Sequence, residues 1–540
     1  MGTSSMLGND QYWEHFAIQP SDLEYLANFL VESEKPQTLD ELAAELTHYR
    51  YNQITQVLDA TLSQGRIYRP GEAYAVGESM IFAHLGNSTG QVVATRAGRN
   101  PEFEPFTVVQ VEMAAVGTAS ADGAGQNRAV REFVTELQRD HPLNAASYLT
   151  EDEITADDVW GEFGAEIRAA LLRALETSVQ FVNVAHRWFV RALLADVSPG
   201  QVNIAEAMLD MAEGGPMRTD ALLQEIDLPD EISPSLQAFS LEHAMLRDRR
   251  FDDVGPSGYA LWYLRSHEPK EVLETPRLLH YLPVSYKRQV LDRVMLSLEL
   301  QVADEWSEPL GDRGQGTEPI GTGAPVTLVL TYPHWRSGTL PLAPHVASFF
   351  PTARITDRIR FTFVDDATGK EFPGWVVRSG RYVYGLESWY KAKQAFVGSY
   401  IDLTRGDEPG VVRIGVRPIR SQRREWLRTV TVEGDQLVFE VTRVPAACEY
   451  DELAAVAVAD AAAVDALRER YDRMSLESLL ERAFGGLAGL SLQRAVHAMT
   501  LYSVLNLMRR VPPAPMLATL ATSPRYISLG DNYWAYQGGD

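Results

Sequence analysis

The sequence predicts an α+β multidomain protein, and three observations carry that expectation. Apolar residues recur at helical spacing between 20 and 65, from Glu162 onward, and again in 201–250 and 491–524, whereas 80–113 and 321–430 break into short alternating runs with the period of strands. Gly, Asn, Pro and Ser-Gly turns separate those runs. Charge is segregated: residues 321–430 hold sixteen Lys plus Arg against nine Asp plus Glu, or +7, which leaves −31 for the rest of a chain whose net charge is −24. At about 100 to 200 residues per domain, 540 residues suggest about three to five units.

Composition narrows the class. With 45% hydrophobic, 9% aromatic and 23% charged residues the chain has material for packed cores, and wholesale disorder is excluded. The opening MGTSSMLGNDQYWEHF lacks a basic and apolar leader, and no run approaches the roughly 18 apolar residues that span a bilayer, so a cytoplasmic protein without membrane contact is expected. The single cysteine, Cys448, has no partner for a disulfide and no zinc-site spacing, and reads as a small half-buried residue. The acidic total argues against a surface coated for indiscriminate nucleic-acid binding; local charge has to do that work.

Along the chain, LEYLANFL and TLDELAAEL are helical, with Thr38 and Glu41 in capping-box spacing. A turn at 49–52 and a helix through ITQVLDATLSQG follow, and RIYRPGEAYAV alternates as a hairpin, which together make a winged helix at 15–79. IFAHL, GQVVATR and FTVVQVEM suit a small SH3-like β-barrel at 80–145, into which the Gly/Ala-rich AAVGTASADGAGQN enters as a loop or hinge. A helical region at 155–303 contains a second winged helix at about 201–268. Residues 304–322 are a Gly, Pro and acid-rich linker, and 450–540 is helical and ends in a winged-helix-like hairpin.

The three expected wings share a weak internal repeat. They start at Arg66-Ile67, Arg250-Phe251 and Arg525-Tyr526. Gly71, Gly255 and Gly530 stand five residues on, and an aromatic follows at Tyr74, Tyr259 and Trp534. The glycine permits the turn and the aromatic returns over the helices. Through RRFDDVG and RYISLGDNYW the last two copies resemble the winged helix of the bacterial RNA polymerase delta subunit and its chromatin-associated eukaryotic relatives. That resemblance implies a link to transcription and contacts with DNA or with protein.

In the basic segment, VTLVLTY, RIRFTFVDD, FPGWVVR, YVYGL, SYIDLTR and VVRIGVR read as six strands of a closed barrel, with ESWYKAKQAF as a helix among them and LAPHVASFF as another. Three stretches carry a family likeness: GTLPLAPHVASFFP, FTFVDDATGKEFPGWVVR and RYVYGLESWYKAKQAFVGSYIDLTR. In that order they resemble the DNA-binding pseudobarrel of plant auxin-response and abscisic-acid-response transcription factors and of restriction-endonuclease recognition domains, here at 323–446. The resemblance implies two groove loops, His334-Trp335-Arg336-Ser337 and Arg378-Ser379-Gly380-Arg381-Tyr382, with phosphate contacts from Lys391 and Lys393. Arginine suits a groove loop because its planar fork can bond guanine O6 and N7 together. Trp335, Trp375 and Trp389 have a second reading as core aromatics, favoured for Trp375 and Trp389, and Arg378 and Arg381 read equally as residues that keep a hairpin turn soluble. RIGVRPIRSQRREWLR packs six arginines against Glu425 alone, and Arg420, Arg423 and Arg424 could track a phosphate backbone or meet the acidic remainder of the chain.

No phosphate-binding glycine loop, HExxH, GxSxG or pair of cysteine dyads occurs; Asp365, Asp366, Lys370 and Glu371 fit a turn, and His280 fits a core or surface role. A non-enzymatic protein is expected, without cofactor or bound metal, that binds double-stranded DNA as a transcription or chromosome-associated factor. Two other readings stand beside it: an RNA-polymerase-associated or other protein-interaction scaffold, and a DNA-targeting subunit of a nuclease or defence system.

Overall fold

The computed structural model describes residues 10–538 apart from 86–87, 101–103, 114–128, 146–154, 257–258, 308–324, 354–355, 407, 409, 420–423 and 492. The Gly/Ala-rich 114–127 and most of the expected linker lie outside the described residues. The fold is mixed α+β, and it divides into two compact units, 1–196 with 229–240 and 197–228 with 241–540. No described helix is long and apolar enough to cross a membrane.

In the first unit the helix Pro20–Ser33 leads through β1 (Gln37–Thr38) into the helix Leu39–Leu62. The capping box forms as expected, with the Thr38 N–H donating to Glu41 Oε2 at 2.7 Å and the Glu41 N–H to Thr38 Oγ1 at 3.2 Å. The turn expected at 49–52 is absent, and the helix runs on unbroken. No Gly or Pro interrupts it there, and Arg50 points inward to an ion pair of 2.6 Å with the buried Asp22.

The hairpin expected at 66–76 does not form either. β2 (Arg66–Ile67) instead pairs in parallel with Met80 and Ile81 of β3 (Ser79–Phe82). It opens a five-stranded sheet that continues in order through β4 (Ser88–Ala97), β5 (Thr107–Met113) and β6 (Ala129–Thr135). Alternation along β5 buries Val109, Val111 and Met113 against Tyr68, Tyr74 and Phe82. Tyr74 thus covers this sheet rather than any helix.

After the helix Ala156–Thr177 the chain forms a tight hairpin of β7 (Phe181–Val184) and β8 (Arg187–Val190), turned by Ala185 and His186 at φ +47 and +68. β8 pairs with β1, which sets Trp188 opposite Gln37. The true hairpin of the first module therefore lies more than a hundred residues beyond the expected one, and the five-stranded sheet is inserted within the module.

The second unit starts with the helix Pro199–Met211, β9 (Met217–Arg218), a short helix Thr219–Leu222, the part of the helix Pro234–Arg247 from Leu241 onward, and the hairpin of β10 (Phe251–Asp253) and β11 (Leu261–Leu264). Seven strands follow: β12 (Val326–Val329), β13 (Thr339–Pro341), β14 (Arg358–Asp365), β15 (Glu371–Val377), β16 (Tyr382–Tyr384), β17 (Tyr400–Arg405) and β18 (Val411–Val416). All six strands read from the sequence are among them. Their order is β12-β17-β18-β14-β15-β16-β13, a curled half-barrel with β12 and β13 as its edges, not the closed barrel expected. The chain crosses from one edge to the other through the helix Tyr332–Ser337, which ends on Gly338 at φ +64. Along β14 every second residue, Ile359, Phe361, Phe363 and Asp365, points inward. Cys448 is fully buried, 3.2 Å from Ser399 Oγ, and burial pushes its thiol up.

A ten-residue ribbon, β19 (Arg424–Glu433) with β20 (Gln436–Pro445), is joined by β21 (Ala457–Val458). The helix Leu476–Leu487, β22 (Ala495–His497), the helices Ala498–Met508 and Pro513–Thr522, and the hairpin of β23 (Tyr526–Gly530) and β24 (Tyr533–Tyr536) complete the unit.

Three sheets now share one plan: β1-β8-β7, β9-β11-β10 and β22-β24-β23. In each the last strand is central and carries a buried tryptophan, Trp188, Trp262 or Trp534, opposite Gln37, Met217 or Val496. Five residues after that partner stands a leucine with no exposed surface, Leu42, Leu222 or Leu501. An aromatic opens each hairpin, at Phe181, Phe251 and Tyr526, and pairs two residues beyond the tryptophan. The repeat expected from Arg, Gly and a following aromatic is thus replaced by one of tryptophan and leucine. Tyr259 is 40% exposed, with Arg218 5.1 Å over its ring, and does not belong to the buried core.

Candidate nucleic-acid interface

Strand register decides which of the expected DNA-contacting residues can act together. β13 runs antiparallel to β16, with Thr339 opposite Tyr384 and Pro341 opposite Tyr382. The Gly338 carbonyl therefore accepts from Leu386 at one end of this pair, and the Arg381 carbonyl accepts from Leu342 at the other. From Gly338 to Leu342 the extended chain takes four residue steps, about 13 Å at ~3.3 Å per residue. The two expected groove loops sit at opposite ends of the half-barrel.

The first is not a loop but the short helix Tyr332–Ser337. His334 is buried: its Nδ1 lies 2.9 Å from Thr339 Oγ1 and its Nε2 3.2 Å from Glu305 Oε2. Trp335 is half-buried and donates to the Ala395 carbonyl at 2.8 Å, while the Ser337 hydroxyl is buried without a hydrogen-bond partner. Arg336 alone reaches outward, paired with Asp465 at 2.8 Å. Beside it, Lys391 on the helix Glu387–Lys393 is 74% exposed and pairs with Glu387 at 2.6 Å. Lys393 is pulled in, 2.7 Å from Asp365; against the cost of burial it holds that carboxyl below its usual range. Trp375 and Trp389 are buried core aromatics.

The second loop is anchored at its last residue. Tyr382 has no exposed surface and its hydroxyl donates to the Glu271 carbonyl at 2.5 Å. Arg378 donates to the Thr356 carbonyl at 2.9 Å, and Ser379 is held by Asp357. Arg381, at φ +54, stacks 4.8 Å over the Trp306 ring. Outside β14–β16, the residues Val254, Tyr263, Val272 and Leu279 form an apolar cluster with Trp375, Val377 and Tyr382. Burial closes the expected groove role to Tyr382, whereas Ser379 and Arg381 remain exposed and Arg378 is half-buried.

That contact holds an unusual charge arrangement. Arg358 serves two carboxylates, Asp252 at 2.5 Å and the buried Glu268 at 3.1 Å. Chiefly through burial, the Glu268 carboxyl is pushed up from its ordinary 4.5 to about 8. The folded chain then keeps a proton that the unfolded chain releases, so stability is full below about pH 4.5 and declines as pH rises toward 8. Glu268→Gln should flatten this decline in denaturant titrations run across that range; a wild type with level stability from about pH 5 to 8 would contradict it.

The end of the sheet that carries Arg336 and Lys391 also gathers residues not singled out as site residues from the sequence. Lys370 stands in the β14–β15 turn, Arg413 pairs with Asp366 at 2.8 Å, and Arg417, just past β18, pairs with Asp402 at 2.8 Å. In sequence Arg413 and Arg417 were marked only as members of the arginine-rich run at 413–428, and Lys370 only as part of a turn. Arg420 and Arg423 lie outside the described residues. Arg424 is exposed at the start of β19, opposite Pro445, and on the same ribbon face follow Trp426, 66% exposed, with Arg443 packed 5.7 Å over its ring. Among the described residues no group of three or more His, Cys, Asp or Glu is placed to hold a metal ion. Set against models of known families, curated proteins and solved structures, the chain matches none.

Proposed function

We propose that the half-barrel binds double-stranded DNA without catalysing a reaction, through the end that bears Arg336, Lys370, Lys391, Arg413 and Arg417 and through the neighbouring ribbon at Arg424. On this reading the half-barrel is a DNA-binding pseudobarrel and the three helix-and-hairpin modules are winged helices that add DNA or protein contacts, as in a transcription or chromosome-associated factor. What supports it is the collection of cations from four separate connections and a strand at one end of the sheet. Their carboxylate partners are no obstacle. Exposed ion pairs of this kind contribute about 0–1 kcal/mol each, so phosphates can replace those carboxylates at small cost and release counterions on doing so.

The test uses the full chain and a mixed-sequence duplex, with fluorescence anisotropy read at several salt concentrations. Affinity should fall steeply with salt, and Lys391→Glu with Arg417→Glu should weaken binding about tenfold or more at ~100 mM salt. Arg381→Gln, at the opposite end, should change it little. A flat salt response, or binding no better than background, would sink the proposal.

One observation favours a protein-interaction scaffold instead. Arg336, Lys391, Arg413 and Arg417 each already have a carboxylate partner, while the exposed Trp426 is of the type that anchors protein interfaces. Capture of an RNA polymerase subunit after nuclease treatment, lost in Trp426→Ala and kept in the charge-reversed variant, would decide for it.

A further inference from the structure

Arg509 and Arg510 are neighbours in sequence and both are buried, but their surroundings differ. Arg510 has two carboxylates, Asp304 at 2.6 Å and Glu305 at 2.8 Å. Arg509 has none within ion-pair distance among the described residues; its Nη1 donates to the Met474 carbonyl at 2.6 Å. Arg468, 4% exposed, is in the same position. It donates to the carbonyls of Asn506 at 2.6 Å, Leu507 at 3.2 Å and Leu278 at 3.4 Å.

Part of this is helix capping. Asn506 and Leu507 lie in the last turn of the helix Ala498–Met508, where carbonyls lack helical partners and a cation is favoured. Capping leaves most of the charge unmet. A guanidinium has five N–H donors, and Arg509 uses only Nη1 among the described residues. Burial lowers the pKa of both Arg468 and Arg509, and the opposing pull of Asp472 on each does not offset it.

Both guanidiniums line one pocket of about 400 Å³, together with Arg277, His280, Leu282 and Asp472. Arg277 stands at the mouth, 61% exposed and held by Glu469 at 2.8 Å and Asp472 at 3.4 Å. Asp465, also at the pocket, is already engaged by Arg336 and by the Tyr332 hydroxyl. The concavity is of small-ligand size, its inner cations make no ion-pair contact with a carboxylate among the described residues although Asp465 and Asp472 line the same pocket, and Leu278 and Leu282 supply an apolar wall.

We propose that this pocket binds a phosphorylated small molecule of nucleotide size, with the phosphate on Arg468 and Arg509 and Arg277 closing over it. Guanidinium forks match phosphate oxygens in charge and geometry. The apolar wall should make an organic phosphate a better ligand than the free ion. The pocket adjoins the proposed DNA surface at Asp465, which pairs with Arg336, but Arg277, Arg468 and Arg509 are not part of that surface and the proposal does not depend on it.

Isothermal titration calorimetry and thermal unfolding of the full chain test this with adenosine monophosphate, with inorganic phosphate and with potassium chloride at matched ionic strength. Saturable binding of adenosine monophosphate is expected, with phosphate weaker and chloride without effect. Arg509→Met and Arg277→Gln should each weaken binding about tenfold. Arg277 lies at the surface, so its variant keeps the test valid if Arg509→Met does not fold. No saturable binding by the wild type, equal stabilisation by chloride, or binding unchanged in Arg277→Gln and any folded Arg509→Met would overturn the proposal. Phosphate binding with adenosine monophosphate excluded would overturn the nucleotide-sized ligand.

Discussion

Replacing Arg510 with alanine is expected to destabilise the second unit by about 3–5 kcal/mol, the cost of leaving buried charges without their partner. Arg510, Asp304 and Glu305 are each buried to within 2%. The Tyr502 hydroxyl donates to Asp304 at 2.7 Å, Asn506 Oδ1 accepts from Arg510 at 3.0 Å, and His334 reaches Glu305 from the half-barrel side. The two acids respond oppositely: burial pushes Asp304 up, whereas Glu305, despite the same cost, is drawn down to about 2 by Arg510 and His334. Removing the cation strands both. Urea unfolding of the full chain, with hydrogen exchange over 332–340 and 498–511, would measure the loss. The triple variant Arg510→Met, Asp304→Asn, Glu305→Gln should recover much of it, because no isolated charge remains inside. A loss below about 1 kcal/mol in Arg510→Ala would mean that the network does not tie the C-terminal helices to the half-barrel.

The second large effect concerns the tryptophan that each module repeats. Trp262 has no exposed surface, and its indole N–H donates to Thr219 Oγ1 at 3.1 Å, which in turn donates to Glu242 at 2.7 Å. Trp262→Ala should cost about 3–5 kcal/mol, as for other buried aromatics cut to alanine. The sharper comparison uses phenylalanine. Among the described residues the buried indole N–H groups of Trp188 and Trp534 have no acceptor, so phenylalanine there removes an unpaired donor as well as volume. Trp188→Phe and Trp534→Phe should therefore destabilise less than Trp262→Phe, which breaks a made hydrogen bond. Hydrogen exchange over each hairpin reads the three modules separately. Equal losses at all three would mean that packing alone matters and that the Thr219 bond contributes nothing.

Much of the secondary structure was legible because it is written in local signals. Alternation located six of the seven half-barrel strands, the Thr38 to Glu41 spacing located a helix start, and the Asp365 to Glu371 stretch forms the turn its residues suggest. The missed elements failed for non-local reasons. Arg66 and Ile67 have a strand-like pattern, but nothing nearby says that their partner is Met80 in parallel rather than a returning hairpin strand. Trp188 was overlooked because an inserted sheet separates its hairpin from β1, so the repeat had lost its expected spacing.

The candidate site was less legible than the fold. A positive surplus in 321–430 is a property of composition, yet the potential at any surface depends on which acids fold against it. Asp465, Asp252, Glu268 and Glu305 all come from outside that segment and meet Arg336, Arg358 and His334 within it. What the sequence by itself determined is the type and order of those helices and strands that caps, turns and apolar periods mark within a few residues, such as the start of the helix at Leu39 and six half-barrel strands. Only the tertiary structure decided that the basic strand-rich segment is an open half-barrel, that its two arginine-bearing turns face opposite ends, and that Arg468 and Arg509 lie buried with no carboxylate in ion-pair contact among the described residues. Those outcomes depend on strand register and on packing between residues a hundred or more positions apart, where pattern along the chain carries no information.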